Sequence, residues 1–380
     1  MKKLLALFKK DLMLSVSLLA ALVSLFITVP SRETLSLIDW KTLATLFMLI
    51  TILEGFKKEH IFLPMLRLTS RISSVKWLCA FFVFAVFLSS MFVTNDVSLI
   101  IFVPLTIIML RAGGKERFIL PVLTFENIAA IRGSLLTPFG SPQNLFLFSQ
   151  SGVSVQNFML HMLPLWVVSA ALLLLFISVL FRKNPREHID SSAAVVSEEW
   201  VPERKKIRVL YLVLFAAVII TIVTRTRWWL AVAAGVLVLL LVFDRAVLAR
   251  TDYVLILTFF CFFVFSSSVC RNPAISAFLK KAVCGNEYWW AILLSQVISN
   301  VPASIVLWPF TQNLTALLYG LDSAGLCSII GSLASVINLR LYAREYPGNG
   351  LAFLKTFQII SLLFFAIIVV PQFFLCGWRF

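Results

Sequence analysis

The sequence predicts an all-α polytopic membrane protein, built as an inverted repeat with two re-entrant helical hairpins and two interrupted transmembrane helices. Three observations lead to this prediction. Of the 380 residues, 60% are hydrophobic and only 13% are charged, and the mean hydropathy is +0.97, which no soluble domain approaches. Apolar runs of about 20 residues, the length that crosses a bilayer, recur along the chain. One polar pattern also occurs twice within apolar surroundings, in opposite predicted orientations.

The first 56 residues contain two predicted crossings. The apolar core after the N-terminal lysines is long, and no small-x-small cleavage site closes it before Pro30. We therefore expect a membrane helix at 12–29 rather than a signal peptide, with the N-terminus in the cytoplasm. A helix at 41–56 then returns to the basic stretch KKEHIFLPMLRLTSR. The net charge of +15 comes from basic residues at the ends of apolar runs, which disfavours nucleic-acid binding.

A polar triplet, Thr94-Asn95-Asp96, separates two apolar pieces at 75–93 and 97–110. Burying its carboxylate in lipid costs roughly 2.5 to 3.5 kcal/mol, so something must compensate. The outer ends of both pieces are basic, with Arg71, Lys76, Arg111, Lys115 and Arg117. A re-entrant hairpin with its tip at 94–96 keeps both ends in the cytoplasm, and such a tip needs protein or a water-filled cavity around it. The alternative is a short loop at the membrane surface.

The chain is then predicted to cross outward as an interrupted helix at 118–150. The stretch TPFGSPQN (137–144) breaks this helix with two prolines, a glycine and four polar residues. An amphipathic piece near 153–161 and a helix at 163–182 return the chain inward and complete a first repeat, residues 1–182. The polar segment 183–206 is predicted to be a cytoplasmic linker.

The second repeat, residues 207–380, is predicted to carry the same parts in the opposite orientation. Three helices bring the chain to the outside, at 207–224, 228–243 and 252–269. A second hairpin enters from that side, with its tip at 299–302 between arms at 288–298 and 301–319. The chain ends with an interrupted crossing at 324–343, broken at GSLAS (331–335), and a helix at 351–371. Four basic residues lie on the outer side in this topology, against the charge rule: Arg225, Arg227, Lys280 and Lys281.

The repeated pattern is read by comparing TNDVSLIIFVPLT (94–106) with SNVPASIVLWPFT (299–311). Each has a hydroxyl residue, then Asn, then a proline nine residues after the Asn, then an apolar residue and Thr. Each is followed by a broken crossing with Gly-Ser and, three residues after the Ser, another polar side chain: Gly140, Ser141 and Asn144 against Gly331, Ser332 and Ser335. Interrupted helices in matching positions of two inverted repeats indicate a secondary-transporter binding site near the middle of the membrane.

The helix breaks suggest how such a site would work. Free amides at helix starts favour anions, and free carbonyls at helix ends favour cations. The candidate substrate-binding residues are Thr94, Asn95, Ser299, Asn300, Pro138, Gly140, Ser141 and Ser332. The candidate residues for a coupling cation or proton are Asp96, Thr137, Gln143, Asn144, Gly331 and Ser335. A Na⁺ ion is most simply placed at Asn95, Asp96 and Asn144.

Other polar residues carry weaker indications. Ser141 lacks the GxSxG environment of a nucleophile, and the histidines at 60, 161 and 188 fall in loops or at an interface. Glu126 and Arg132 are expected to pair with neighbours or reach a cavity, with a role in coupling as the alternative. The six cysteines have no CxxC spacing, so we expect neither a metal centre nor a disulfide framework, and no cofactor.

With these motifs identified, the chain resembles the ion-transporter superfamily, specifically the citrate-transporter-like permeases. That group includes divalent-anion:sodium symporters, arsenite permeases and one family of sodium/proton antiporters. The matching motifs are TNDVSLIIFVPLT, LLTPFGSPQNLFLFSQ and SQVISNVPASIVLWPFT. The resemblance implies a scaffold and a moving transport domain that holds both hairpins, an elevator-like movement, and a homodimer. The Asn-Asp tip is similar to the arsenite-permease branch, where a carboxylate at this position implies proton or sodium coupling.

The expected function is therefore Na⁺- or H⁺-coupled transport of a small anion, citrate or another carboxylate, across a bacterial-type inner membrane. Arsenite efflux or Na⁺/H⁺ exchange is the alternative within the superfamily. A membrane enzyme acting on a lipid-linked substrate is more remote, because the sequence offers no clustered acid/base set or metal ligands at one membrane face. The expected partners are the lipid bilayer, the small anion and a second copy of the chain.

Overall fold

The structure is a computed structural model that describes residues 12–28, 36, 38–61, 69, 72–184, 187–189 and 205–377. Within these ranges the regular elements are helices, and the single extended contact is an isolated bridge between Ser74 and His188. The N-terminal residues, most of the basic stretch that includes Arg71, and most of the predicted linker lie outside the described residues.

The described residues form seventeen α-helices, which we number in chain order. Those before the linker are α1 (Leu12–Ile27), α2 (Trp40–Lys58), α3 (Val75–Val93), α4 (Asn95–Ala112), α5 (Ile119–Gly133), α6 (Pro142–Ser151) and α7 (Val155–Leu180). Those after it are α8 (Lys205–Thr224), α9 (Trp229–Phe243), α10 (Arg245–Arg250), α11 (Tyr253–Arg271), α12 (Pro273–Val283), α13 (Glu287–Ile298), α14 (Asn300–Leu307), α15 (Leu314–Cys327), α16 (Leu333–Glu345) and α17 (Gly350–Leu375). Short 3₁₀ turns occupy Glu116–Phe118 and Trp308–Phe310.

Six of these helices are long and apolar enough to cross a membrane: α3, α4, α7, α8, α11 and α17. The outer surface fits that environment, because large apolar side chains such as Leu351 and Phe374 are more than 70% exposed. A soluble protein does not carry such a surface over whole helices. The chain is therefore a multi-pass membrane protein, as the hydropathy predicts.

The first hairpin consists of α3 and α4, which are joined by Thr94 alone. Its two far ends are held together by one short segment. The Val75 amide donates to the Glu187 carbonyl (3.0 Å), and the Glu187 carboxylate accepts from Lys115 (2.8 Å) and Arg117 (2.7 Å). The chain from Val75 to Lys115 therefore runs out and back, and both of its basic ends lie on the same side.

The second hairpin is built in the same way from α13 and α14, which are joined by Ser299 alone. At its base, the Glu287 carboxylate accepts from the backbone amides of Gln312 (3.1 Å) and Asn313 (3.2 Å). Glu287 therefore closes the second hairpin as Glu187 closes the first, but it does so through backbone amides.

The predicted boundaries of the second hairpin and of the crossing after it are wrong. The second arm was expected to extend to residue 319, but α14 ends at Leu307 and only the 3₁₀ turn with Pro309 continues it. A new helix, α15, then begins, because the Asn313 side chain caps it by accepting from the Ala316 amide (3.0 Å). The second interrupted crossing thus runs over 314–345 with its break at 328–332, rather than over 324–343.

Two boundaries in the first half also differ from the prediction. The first break covers 134–141, not 137–144, because Pro142 is accepted in the first turn of a helix and starts α6. The amphipathic piece and the return helix are one continuous helix, α7, although it contains Pro164. Proline removes only one helical hydrogen bond, and full burial of Phe158 and Leu165 on either side holds the helix together.

The two halves pack across one another. Helix α4 of the first hairpin packs against α16, which follows the second break, and α14 of the second hairpin packs against α6, which follows the first break. Arg225 secures the far end of α6, where its guanidinium donates to the carbonyls of Phe148 (2.6 Å) and Val153 (2.5 Å). A basic residue that opposes the charge rule thus has a local role, because cations stabilise helix C-termini.

Candidate functional site

Both hairpin tips have the same rare backbone conformation. Thr94 has φ 67° and ψ 155°, and Ser299 has φ 68° and ψ 161°. This region is normally reserved for glycine, and a residue with a Cβ is held there at a cost of about 1 to 3 kcal/mol. Neither side chain caps the helix that follows. Strain at the two matching positions indicates that the tips are functional, since strained residues cluster at binding sites.

Asp96 lies in the first turn of α4, and Asn95 is also helical, so only Thr94 of the predicted non-helical triplet interrupts the helices. The Asp96 amide donates to the Asn95 side-chain oxygen (2.9 Å). The start of a helix carries partial positive charge, which stabilises a nearby carboxylate. Asp96 also lines a cavity, so two features offset the cost of placing a carboxylate here.

The first break, 134–141, is held close to the first tip. The Thr137 hydroxyl donates to the carbonyl of Met91, three residues before Thr94. Gly140 is required by space, because a Cβ there would lie 2.3 Å from the Ser134 carbonyl oxygen. Ser141 caps α6 by accepting from the Asn144 amide (3.4 Å). The break therefore has a defined, compact structure.

The second break, 328–332, is bonded directly to the second tip. The Asn300 amide donates to the Gly331 carbonyl (3.2 Å). Gly331 is also required by space, since a Cβ would lie 2.1 Å from the Ala324 carbonyl oxygen. Gly140 and Gly331, matched by sequence alone, thus each approach a backbone carbonyl at or near the end of the helix that precedes the break.

The tips open onto two adjoining cavities. The first, of about 110 Å³, is lined by Thr94, Asp96 and Ser141. The second, of about 220 Å³, is lined by Ser299 and Val301. The two cavities share a wall made of Asp252, Leu255, Leu333 and Ile337. Residues 94–96 and 299–301 therefore reach the same region of the protein.

The charges around these cavities are mainly negative. Glu54 and Lys57, which form an ion pair near the end of α2, line the first cavity with Asp96 and Asp252. The charged residues that line the second cavity are Asp252 and Arg340. The first cavity thus has three carboxylates and one lysine, an arrangement that attracts cations more than free anions.

Of the fourteen predicted site residues, Thr94, Asp96, Ser141 and Ser299 line these two cavities. The others are packed behind them. Ten are buried: Asn95, Thr137, Pro138, Gly140, Gln143, Asn144, Asn300, Gly331, Ser332 and Ser335. Asn300 donates to the Leu321 carbonyl (3.4 Å), and Ser335 accepts from Asn127 (3.0 Å). In this conformation these residues pack beneath the cavity lining and support the tips and breaks.

Asp322, a buried carboxylate on α15, is not among the residues that the sequence pattern predicts. It accepts from Gln143 (3.1 Å) and Asn144 (3.5 Å) in the first turn of α6, directly after the first break. Arg132, also fully buried, donates to Ser323 (3.2 Å) and to Ser169 on α7 (3.1 Å). The only sequence signal was a lone Asp in the apolar run LLYGLDSAG, which the predicted boundary at 319 left in a loop. Asp252, which caps α11, gave no signal of its own.

Glu126, in contrast, pairs with a neighbour as predicted, by accepting from the Thr106 hydroxyl. Among the described residues, no group of three or more His, Cys, Asp or Glu side chains is arranged to hold a metal ion. The cavity chemistry therefore rests on single carboxylates, hydroxyls and backbone groups.

Comparison with known proteins agrees with this architecture. A family model described as "Citrate transporter" matches residues 4–331. An uncharacterised transporter of Methanocaldococcus jannaschii is 31% identical over 313 residues, covering 81% of this chain and 83% of its own. The inner membrane protein YbiR of Escherichia coli is 32% identical over 323 residues, 84% of each chain. A 46 kDa membrane protein of Mycobacterium leprae is 22% identical over 80% of this chain and 79% of its own.

Proposed function

Because the chain belongs to the citrate transporter family, a family of membrane transporters and not of enzymes, we propose that it carries a small anion, citrate or another carboxylate, coupled to Na⁺ or H⁺. One observation carries the proposal: two strained, single-residue hairpin tips, one of them with a carboxylate, reach the same pair of adjoining cavities. Helix ends that meet at a cavity are how secondary transporters hold both substrate and coupling ion.

The proposal includes an inverted repeat, with units at 1–182 and 207–380. Several features support it. Helices α2 and α11 have 19 residues each, and α7 and α17 have 26 each. In each half the first hairpin arm packs against the helix that precedes the break, α3 on α5 and α13 on α15. The second arm packs against the helix that follows the break of the other half, α4 on α16 and α14 on α6. The two hairpins and two broken helices would form the moving transport domain of an elevator mechanism.

Within this site the roles divide by chemistry. The Thr94 and Ser299 hydroxyls, together with the free amides at the starts of α4 and α14, would contact the substrate. Asp96 would bind the coupling cation or proton, because its Oδ1 is buried without a hydrogen-bond partner among the described residues. Asn144 Oδ1 is likewise buried without a hydrogen-bond partner among the described residues. This supports the predicted Na⁺ ligand set of Asn95, Asp96 and Asn144.

The charge of the cavities favours a second candidate function. With Glu54, Asp96 and Asp252 around the first cavity, a free tricarboxylate would be repelled unless cations accompany it. Na⁺/H⁺ exchange, or efflux of neutral arsenite, requires no binding of an anion. These functions use the same cavities and the same carboxylate.

The test is flux into proteoliposomes that contain the purified full-length protein. Labelled citrate and succinate, arsenite, and Na⁺/H⁺ exchange would be compared under imposed Na⁺ and H⁺ gradients. We predict that Asp96→Asn abolishes gradient-driven flux, while Asp39→Asn, which alters a carboxylate at the cap of α2, retains it. Full gradient-driven flux through the Asp96→Asn protein would contradict the role of Asp96. Anion-independent Na⁺/H⁺ exchange by the wild type would select the second candidate.

The proposed location is a cytoplasmic membrane, with the N-terminus inside. In that orientation the first cavity, bordered by the charged end of α2 and the start of α11, opens toward the cytoplasm. A homodimer is part of the proposal on the family resemblance alone. Labelling a Lys57→Cys variant with a thiol reagent, added to each side of the membrane in turn, tests the orientation.

A further inference from the structure

A second group of buried polar residues lies at the junction of α4, α5 and α16, separate from the residues that line the two cavities. It consists of Thr106, Glu126, Asn127, Ser335 and Asn338, and each of these is 0% exposed. The three helices pack against one another, so the group is enclosed by the protein. Glu126 is the one carboxylate in the group.

Each donor side chain of this group already makes a hydrogen bond. Asn338 donates its amide to the Leu123 carbonyl (2.7 Å), which can only accept, so the orientation of that side chain is fixed. Ser335 donates its hydroxyl to the Gly325 carbonyl (3.5 Å), so it must accept from the amide of Asn127 (3.0 Å). The Thr106 hydroxyl donates to Glu126 Oε1.

Three acceptor oxygens remain. Glu126 Oε2, Asn127 Oδ1 and Asn338 Oδ1 are buried and have no hydrogen-bond partner among the described residues. Such atoms are rare, because buried polar groups are almost always bonded. With 3.6 residues per turn, Glu126 and Asn127 project on either side of Leu123, whose carbonyl Asn338 contacts. All three side chains therefore lie at one level of the junction, within about one turn of α5.

We propose that this junction binds a monovalent cation, Na⁺, through Glu126 Oε2, Asn127 Oδ1 and Asn338 Oδ1. Oxygen atoms from carboxylate and amide groups suit a hard cation, and the single carboxylate matches a single charge. A proton on Glu126 would satisfy that side chain and at most one amide oxygen. A cation contacts all three at once.

The site goes beyond the proposed function, because it uses neither hairpin tip. Helix α4 begins at the first tip, and α16 begins at the second break, so an ion held between them joins parts of both halves. If the chain is a transporter, occupancy of this site would link the first hairpin to the second interrupted helix. That role rests on the proposed function, whereas the binding itself does not.

The test measures thermal unfolding of the purified full-length protein in detergent, with NaCl replaced by KCl at constant ionic strength. All measurements are made on proteins that carry Asp96→Asn, because this substitution removes the Na⁺ contribution proposed for the tip. In that background we expect the midpoint to rise by roughly 2 °C for each tenfold increase in Na⁺ above the dissociation constant. Adding Glu126→Gln, nearly identical in shape, should abolish this rise.

Three results would overturn the proposal. The first is an equal Na⁺ dependence with and without Glu126, and the second is the loss of all Na⁺ dependence in Asp96→Asn alone. The third is a midpoint that responds to pH through Glu126 and not to Na⁺, which indicates a proton only. If the Glu126→Gln protein does not fold, Asn127→Ala keeps the carboxylate and should raise the half-saturating Na⁺ concentration tenfold or more. These readouts do not involve flux, so failure here is distinguishable from failure of the transport proposal.

Discussion

Replacing Thr94 with glycine should stabilise the protein and impair its function at the same time. Thr94 is β-branched, is held at φ 67°, and makes no side-chain capping bond to α4. Removing its Cβ relieves about 1 to 3 kcal/mol of strain. Glycine adds about 0.5 to 1 kcal/mol of chain entropy to the unfolded state, so the net gain is about 0 to 2.5 kcal/mol. The hydroxyl proposed to contact the substrate is lost.

The matched controls are Thr94→Ala and Thr94→Ser. Alanine keeps the Cβ, so it loses the hydroxyl without relieving the strain, and its unfolding midpoint should not rise. Serine keeps the hydroxyl and should retain flux. Thermal midpoints followed by tryptophan fluorescence and proteoliposome flux give the two readouts. Equal decreases in the midpoint for the glycine and alanine variants would refute the argument from backbone strain.

Two further predictions concern packing and the base of the first hairpin. Gly331→Ala should lower the free energy of unfolding by about 2 kcal/mol or more, because the new Cβ would overlap the Ala324 carbonyl. Gly235→Ala, where the added Cβ on α9 meets open space, should be neutral or stabilising. Folded yield and thermal midpoint measure both effects. An equal effect of the two changes would contradict the close approach at Gly331. Hydrogen bonds from Lys115 and then Arg117 hold the pKa of Glu187 below its usual range. Its contribution, under about 1 kcal/mol, should therefore be present at neutral pH and be lost as pH falls below about 4.3 through the lowered folded-state pKa. Glu187→Gln should remove this dependence in midpoints measured from pH 7 to about pH 3, a range that passes below the unfolded-state pKa. An unchanged profile would show that the ion pairs contribute nothing.

The sequence predicted the tips well because polar residues stand out in an apolar chain. Thr94 and Ser299 were found by pattern, and the structure gives them the same backbone conformation. Boundaries failed where a single side chain decides them: Asn313 starts one helix, and Pro142 after Ser141 starts another. Asn, Ser and Pro also occur in loops, so the sequence pattern alone could not distinguish a helix start from a loop.

The residues behind the tips could not be predicted for a different reason. The role of Asp322 depends on the hydrogen bonds that it accepts from Gln143 and Asn144. The role of Asp252 depends on the cavities that it lines together with both tips. The hydrogen bonds of Asp322 join residues 179 and 178 positions apart in the chain, and Asp252 lies far in sequence from Thr94. A single sequence shows that such a carboxylate is costly in an apolar run, but it does not show which neighbour compensates.

The two tips are attached to their breaks by different chemistry. The first depends on a side chain, since Thr137 donates its hydroxyl to the Met91 carbonyl. The second has a backbone bond from the Asn300 amide to the Gly331 carbonyl in addition to a side-chain bond from the Ser328 hydroxyl to Gln296. A single change at Thr137 therefore removes the side-chain bond between the first break and its hairpin. Loss of the Ser328 hydroxyl would leave the backbone bond between Asn300 and Gly331 in place, so one substitution loosens the second tip from its break less readily than the first.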